Sequence, residues 1–396
     1  VLLAADAELA DFGKLMIYTA MVVYALAFIA YITEWIFGSR SRVSRTATAL
    51  TAQGAGATGK GAGDAAADAD TADADTDGHD ADGADGDSGT ADEAPRGPAV
   101  TVRKGGTAKV LERPKVVTRS STPSRDHLPD GPGASGGDGQ GDLYGRVAIS
   151  LTTLAFLLHF GGVITRAIAV GRAPWANMFE FSTAFSAVAV LGFLGFLAAG
   201  RKVRWIGLPL VTTVLLDLGL AVTVLHTESD QLPPALQSVW LWIHVGLAII
   251  CGAMFYLGMV ATVAFLFRDR YESKLAAGGT PGRFASSVLE RMPTSVSLDK
   301  FAYRINAAIF PLWTFTIIAG AIWAENAWGR YWGWDPKEVW SLITWLGYAA
   351  YLHARATAGW RGRKAAYLAI AAFICFLINY YGVNLFANSL HSYSGV

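Results

Sequence analysis

The chain has 396 residues, 53% of them hydrophobic and 16% charged, and its 32 basic and 32 acidic side chains cancel to a formal net charge of zero. Long apolar blocks at so low a charge density exclude a soluble globular core and describe an all-α polytopic membrane protein. The neutral balance offers nothing global for nucleic acid to bind, and no such partner is expected.

Windows of about 20 apolar residues predict eight transmembrane helices, near 15–37, 145–166, 178–199, 205–226, 239–267, 305–325, 337–356 and 365–387. Residues 1–45 carry the first. It is read as a span and not as a cleavable signal peptide, because it lacks a basic leader and is as long as a full span. Residues 46–142 form a separate region: an Ala/Asp/Gly/Thr repeat (DADTADADTDGHDADGADGD), then a basic stretch with Arg103, Lys104, Lys109, Arg113, Lys115 and Arg119 among Pro and Gly. With few aromatic or branched apolar residues it cannot bury enough surface to offset chain entropy, so disorder is expected. The acidic run lacks the fixed Gly turn and distal Glu of a calcium loop, and His79 and His127 read as solvated. Residues 143–396 are the membrane domain.

If the spans alternate, Arg40, Arg42 and Arg45, then Arg201, Lys202 and Arg204, then Arg268 and Arg270, then Arg355, Arg361, Arg363 and Lys364 share one side. The positive-inside rule makes that side the cytoplasm. Both termini, the loops near 167–177 and 227–238, and the Trp-rich segment 323–345 are then extracytoplasmic. Cys251 and Cys375 lie inside apolar spans with no CxxC in the chain, so a thiol-disulfide carrier is not expected.

The segment 323–345 reads WAENAWGRYWGWDPKEVWSLITW and holds Trp323, Trp328, Trp332, Trp334, Trp340 and Trp345. Asp335-Pro336-Lys337-Glu338 is a good helix start, with Asp as N-cap, Pro at the first helical position and Glu closing a capping box. An aromatic belt accounts for single tryptophans at span ends. It does not account for Trp328, Trp332 and Trp334 interleaved with Gly329 and Gly333, which fit a platform where a large planar apolar ligand stacks. Arg330 beside the cluster can grip a carboxylate of such a ligand.

Histidine is scarce in the membrane domain: His159, His226, His244, His353 and His391. Each reads either as a functional group or as an interhelical hydrogen-bonder. His244 lies about one turn into the fifth span from its outer end, and His391 just beyond the outer end of the eighth, so both reach the face of the Trp platform. Such a pair suits two axial imidazoles on haem iron; His226, near the outer end of the fourth span, is the main rival. His353 lies 18 residues beyond Asp335, about 27 Å along a regular helix, so it belongs to a separate station near the inner leaflet. Asn177 and Glu180 read either as substrate contacts or as the cap of the third span.

The segment WGRYWGWDPKEVWSLITW, with AGAIW before it and YLHAR after it, closely resembles the WWD domain of the cytochrome c biogenesis proteins of the CcsA/ResC type, called CcsB in actinobacteria. LQSVWLWIHV and NLFANSLHSYSG are similar to the family's two external His motifs and match His244 and His391. His353 matches its transmembrane His, and GRAPWANMFEFS resembles its G-x-P-x-S-N-x-Y-E-S stretch, with Ala176 in place of Ser and Phe179 in place of Tyr. WAENAWG inverts the Glu and Asn of the commoner WANEAWG, and the Asp-rich insert is a further departure; neither touches the ligand residues. The resemblance covers about 143–396.

That resemblance implies a role in system II cytochrome c maturation. Haem b, as transported substrate, crosses the membrane, is presented at the outer face, and is joined by thioethers to the CxxCH cysteines of apocytochrome c, in complex with a ResB-type partner. It implies haem binding by His244, His391, His353, Trp328, Trp332, Trp334, Asp335 and Arg330, with the three histidines on iron and no catalytic residue. The chain is then a subunit of a cytochrome c synthase; the other reading is a haem transporter or chaperone that hands haem to a separate synthase. A haem-free transporter is disfavoured because Asp217 stands alone as a clear embedded carboxylate.

Overall fold

The structure, a computed structural model, describes residues 7–58, 140–227 and 237–391. The chain divides into two compact units, 1–47 with 124–396, and Thr48–Pro123. In the second unit only the end of the first helix is described. That helix, α1, runs from Ala7 to Thr58 and so carries helix into the region expected to lack order, where Ala-rich sequence lets a helix propagate from a formed span. The Asp-rich repeat and the basic stretch lie outside the described residues.

The regular secondary structure among the described residues of the membrane unit is all helical. After α1 come α2 (Gln140–Val170), α3 (Met178–Ala198), a 3₁₀ turn Arg204–Ile206 leading into α4 (Gly207–Thr223), and a π-helical turn Leu241–Val245 leading into α5 (Gly246–Ala276). Short α6 (Arg283–Leu289), long α7 (Ser295–Trp328), α8 (Pro336–Ala356) and α9 (Arg363–Leu377) follow; a second π turn, Ile378–Gly382, then runs into α10 (Val383–Phe386). Seven of these segments are long and apolar enough to cross a bilayer: Ala7–Ile36, Leu143–Val170, Met178–Ala198, Arg204–Thr223, Leu241–Ala276, Ser295–Trp328 and Arg363–Phe386. The remaining expected span is α8, whose 21 residues reach about 31 Å. Lys337, Glu338, His353 and Arg355 make it less apolar than the others, and it packs against α7 and α9.

α5 is the axis of the bundle, packed along α7 and touching α3 and α9. At its middle Phe255 stacks on Tyr348 with ring centroids 3.9 Å apart, while Trp313 and Phe376 meet Phe255 edge-on at 6.1 and 6.4 Å. These aromatic contacts join α5, α7, α8 and α9 where hydrocarbon supplies no hydrophobic drive and packing must hold the helices together. Outward, Leu15, Val22, Ile29, Leu157, Ile164 and Ile168 stay exposed, the pattern of a lipid-facing surface.

Candidate functional site

Both ends of the membrane unit carry ion pairs, Arg166 and Arg172 on Glu180 lying at the end that opens into a cavity. The other end is tied by Arg204 with Glu34 at 2.9 Å, Arg268 with Glu272 at 2.8 Å, Arg363 with Asp269 at 2.7 Å, and Arg355 with Asp299 at 2.5 Å. The cavity has a volume of about 1280 Å³, counting its mouth. Its walls are mostly apolar and aromatic, as in a site for an apolar small molecule. His244 and His391 both line it, and a smaller cleft of about 270 Å³ runs directly between them.

His244 sits in the first π turn, a backbone irregularity common at functional sites. Its Nδ1 is 2.8 Å from the Thr316 carbonyl oxygen. A carbonyl only accepts, so Nδ1 carries the proton and Nε2 keeps its lone pair. Gly320 makes the position possible: a Cβ there would lie 2.6 Å from Cε1 of the imidazole. Trp323 meets the same ring at 5.9 Å.

His391 follows α10, and Asp335 is what holds it. The carboxylate Oδ2 lies 2.9 Å from His391 Nδ1, and Oδ1 accepts the Leu390 N–H at 2.8 Å. Oδ2 also accepts the Lys337 N–H at 3.2 Å as the N-cap of α8. Burial by itself would raise the Asp335 pKa, but the hydrogen bonds from His391, Leu390 and Lys337 outweigh it and hold the carboxyl below its ordinary 3.8. The ionised acceptor puts the proton of a neutral His391 on Nδ1, the arrangement in which an adjacent carboxylate orients a metal-binding imidazole.

The Trp-rich segment turns between α7 and α8. Trp328 ends α7, Gly329 takes the left-handed cap at φ 70°, and Trp328 meets the His391 ring at 4.9 Å. Trp334 has φ 58°, a left-handed backbone that is costly for a bulky residue, yet its side chain is 72% exposed. Glu338 explains how the strain persists. Its Oε2 accepts the N–H groups of Gly333 at 2.8 Å and of Asp335 at 3.0 Å, clamping the backbone on either side of Trp334. Trp332 lines the cavity and meets Trp334 edge-on at 5.9 Å.

The expected site residues are thus only partly brought together. His244, His391 and Trp332 line the cavity, Trp328 lines the cleft beside it, and Asp335 acts through His391. Arg330 is exposed and folds over Gly333, off the cavity wall, and Trp334 also points away from it. His226 follows the end of α4, packs on Phe179 at 5.3 Å and does not line the cavity. His353 is exposed on the last turn of α8, at the end away from the cavity. His159 is buried edge-on to Tyr24.

Asn177 caps the third span and also lines the cavity, while Glu180 anchors a cluster of donors. Asn177 Oδ1 caps α3 by accepting the Glu180 N–H at 2.8 Å, and the Glu180 carboxylate takes Arg166 at 2.9 Å, Arg172 at 2.7 Å and the Ala176 N–H at 2.9 Å. Asp217 is not isolated from polar neighbours: it accepts Ser186 Oγ at 2.6 Å and Tyr381 Oη at 2.8 Å. Sequence reasoning missed Lys337, Asn379, Tyr380 and Trp313 as cavity residues. Lys337 did leave a signal, since a cation in the first turn of a helix opposes the helix dipole.

A planar apolar macrocycle with a central metal fits these walls. Two imidazoles approach with Nε2 free, aromatic faces surround them, and the indole N–H groups of Trp313 and Trp323 are buried with no acceptor among the described residues.

The family model described as cytochrome C assembly protein matches residues 148–391, from within α2 to His391. The cytochrome c biogenesis protein CcsA of Synechocystis sp. is 35% identical over 294 residues, covering 63% of this chain and 86% of that protein. CcsA of Microcystis aeruginosa is 33% identical over 287 residues, covering 63% and 87%, and CcsA of Porphyra purpurea 35% identical over 278 residues, covering 63% and 87%.

Proposed function

The chain belongs to the cytochrome c assembly protein family, and from that premise we propose that it binds haem in the cavity between His244 and His391 and presents it for attachment to apocytochrome c. The observation that carries the reading is that these two imidazoles, 147 residues apart in sequence, meet at one cleft. Each has Nδ1 committed to an acceptor and Nε2 left for iron.

Thioether formation adds each cysteine S–H across a haem vinyl group, with sulfur bonding to one vinyl carbon and the proton ending on the other. No atom leaves and no oxidant is consumed. The chain's contribution is therefore orientation, exclusion of water and control of the iron's ligands. Trp328 and Trp332 pack the ligand, and Asp335 fixes His391. Trp334, exposed and held out by the Glu338 clamp, is suited to meet the incoming apocytochrome or a ResB-type partner.

The Arg-rich end away from the cavity is assigned to the cytoplasm and the cavity to the outer face by the positive-inside rule. His353, exposed at the cytoplasmic end, then serves a second haem station, with its opposing ligand from the partner. In a transporter that hands haem on, the cavity would serve equally; the exposed Trp334 beside it favours attachment on this chain.

The test is the visible spectrum of the full chain copurified with its partner. A low-spin bis-His spectrum is expected, converted to high-spin or lost in His244→Ala and in His391→Ala and unchanged in His226→Ala. Loss in His226→Ala with either of the other variants unchanged overturns the assignment.

A further inference from the structure

Lys337 lines the cavity wall, and among the described residues it forms no ion pair. Its Nζ donates to the Asn379 carbonyl oxygen at 2.9 Å and lies 5.9 Å from the Tyr380 ring centroid. Among the described residues no carboxylate comes within 4.0 Å of it. The two nearest in sequence are committed elsewhere: Asp335 to His391 and Leu390, and Glu338 to the N–H groups of Gly333 and Asp335. An ammonium has three donors, and here one is used.

Beside Lys337, the buried indole N–H groups of Trp313 and Trp323 have no acceptor among the described residues. The first turn of α8 adds the positive end of a helix 21 residues long. A partly buried cation facing an apolar cavity is costly unless a ligand brings the opposite charge. Arg330, the cation that the sequence puts forward for this task, is exposed and lies off the wall.

We propose that Lys337 receives the anionic substituent of the cavity's ligand, a propionate carboxylate of haem, and so sets which edge of the macrocycle enters first. This rests on the haem reading above. The same ammonium chemistry also suits a lipid phosphate, and the test separates the two.

The full chain is placed in nanodiscs of phosphatidylcholine and titrated with haem and with haem dimethyl ester, whose propionates are neutral, following the Soret band. The wild type is expected to bind haem about tenfold more tightly than the ester, the scale of one charge-assisted hydrogen bond. Lys337→Gln should bind both at the ester's affinity, Lys337→Arg should keep the preference, and Arg330→Gln should leave it unchanged. The ester measures pocket integrity in every variant. A preference that survives in Lys337→Gln, or that vanishes in Arg330→Gln, overturns the proposal and leaves haem binding standing. A wild-type preference that disappears when phosphatidylglycerol replaces phosphatidylcholine, with the ester's affinity unchanged, assigns Lys337 to the phosphate of an anionic lipid and also overturns it. No Soret change with either ligand removes the haem reading and this proposal together.

Discussion

Asp335 Oδ2 lies 2.9 Å from His391 Nδ1, joining the first residue of the α8 cap to a histidine 56 positions later. One carboxylate thereby starts a helix, pins the C-terminal segment and sets the tautomer of a proposed iron ligand. Asp335→Asn keeps a good N-cap but removes the charge. Folding stability should change by less than about 1 kcal/mol, while haem affinity should fall about 10- to 100-fold, as when a carboxylate that orients a metal-binding imidazole is lost. Thermal unfolding beside a haem titration checks both. Unchanged affinity would mean that His391 needs no such support.

Gly320 offers a test of His244 that leaves the imidazole in the chain. A methyl at 320 meets Cε1 of that ring at 2.6 Å, so Gly320→Ala should displace the ring and reproduce the spectral change of His244→Ala. Gly195, where a Cβ meets nothing within 4 Å, is the control, and Gly195→Ala should retain the low-spin spectrum. Identical spectra in the two variants would count against His244 as ligand.

At Trp334, strain and exposure coincide. A left-handed residue costs of order 1–3 kcal/mol, and asparagine tolerates that conformation better. Trp334→Asn is expected to leave the thermal midpoint unchanged or raised while covalent haem on coexpressed apocytochrome c falls. Glu338→Ala, which strips two backbone N–H groups of their acceptor, should lower stability by roughly 1–3 kcal/mol. A drop in stability without loss of maturation in Trp334→Asn would make the residue structural.

His353 is exposed about 27 Å along α8 from Asp335, and one iron cannot be held at both ends. With the partner coexpressed, His353→Ala should lower bound haem per complex and reduce maturation while the Asp335–His391 site keeps its low-spin signature. Wild-type haem content together with wild-type maturation would take His353 out of the pathway.

Orientation is checked by fusing compartment reporters at the C-terminus and near Gly78. Opposite signals are expected, with the C-terminus outside. The same signal from both would remove the external placement of the cavity.

The sequence by itself determined the class and most of the helices, because a bilayer demands apolar runs of fixed length and internally satisfied backbone, and both are local properties. It also marked the DPKE cap, since a capping box closes within four residues. Segment α8 was less legible by hydropathy: Lys337, Glu338, His353 and Arg355 dilute its apolar content. Only the tertiary structure decided which residues share the cavity. Arg330 and Lys337 are seven positions apart, and sequence proximity to the tryptophans favours the arginine, yet the turn at Gly329 and the Glu338 clamp throw Arg330 outward while α8 carries Lys337 onto the wall. Glu180 likewise needed its partners in view, since Arg166 comes to it only when α2 and α3 pack. Helix periodicity is written in neighbours along the chain, whereas a site is assembled by contacts between segments whose relative rotation no single segment encodes.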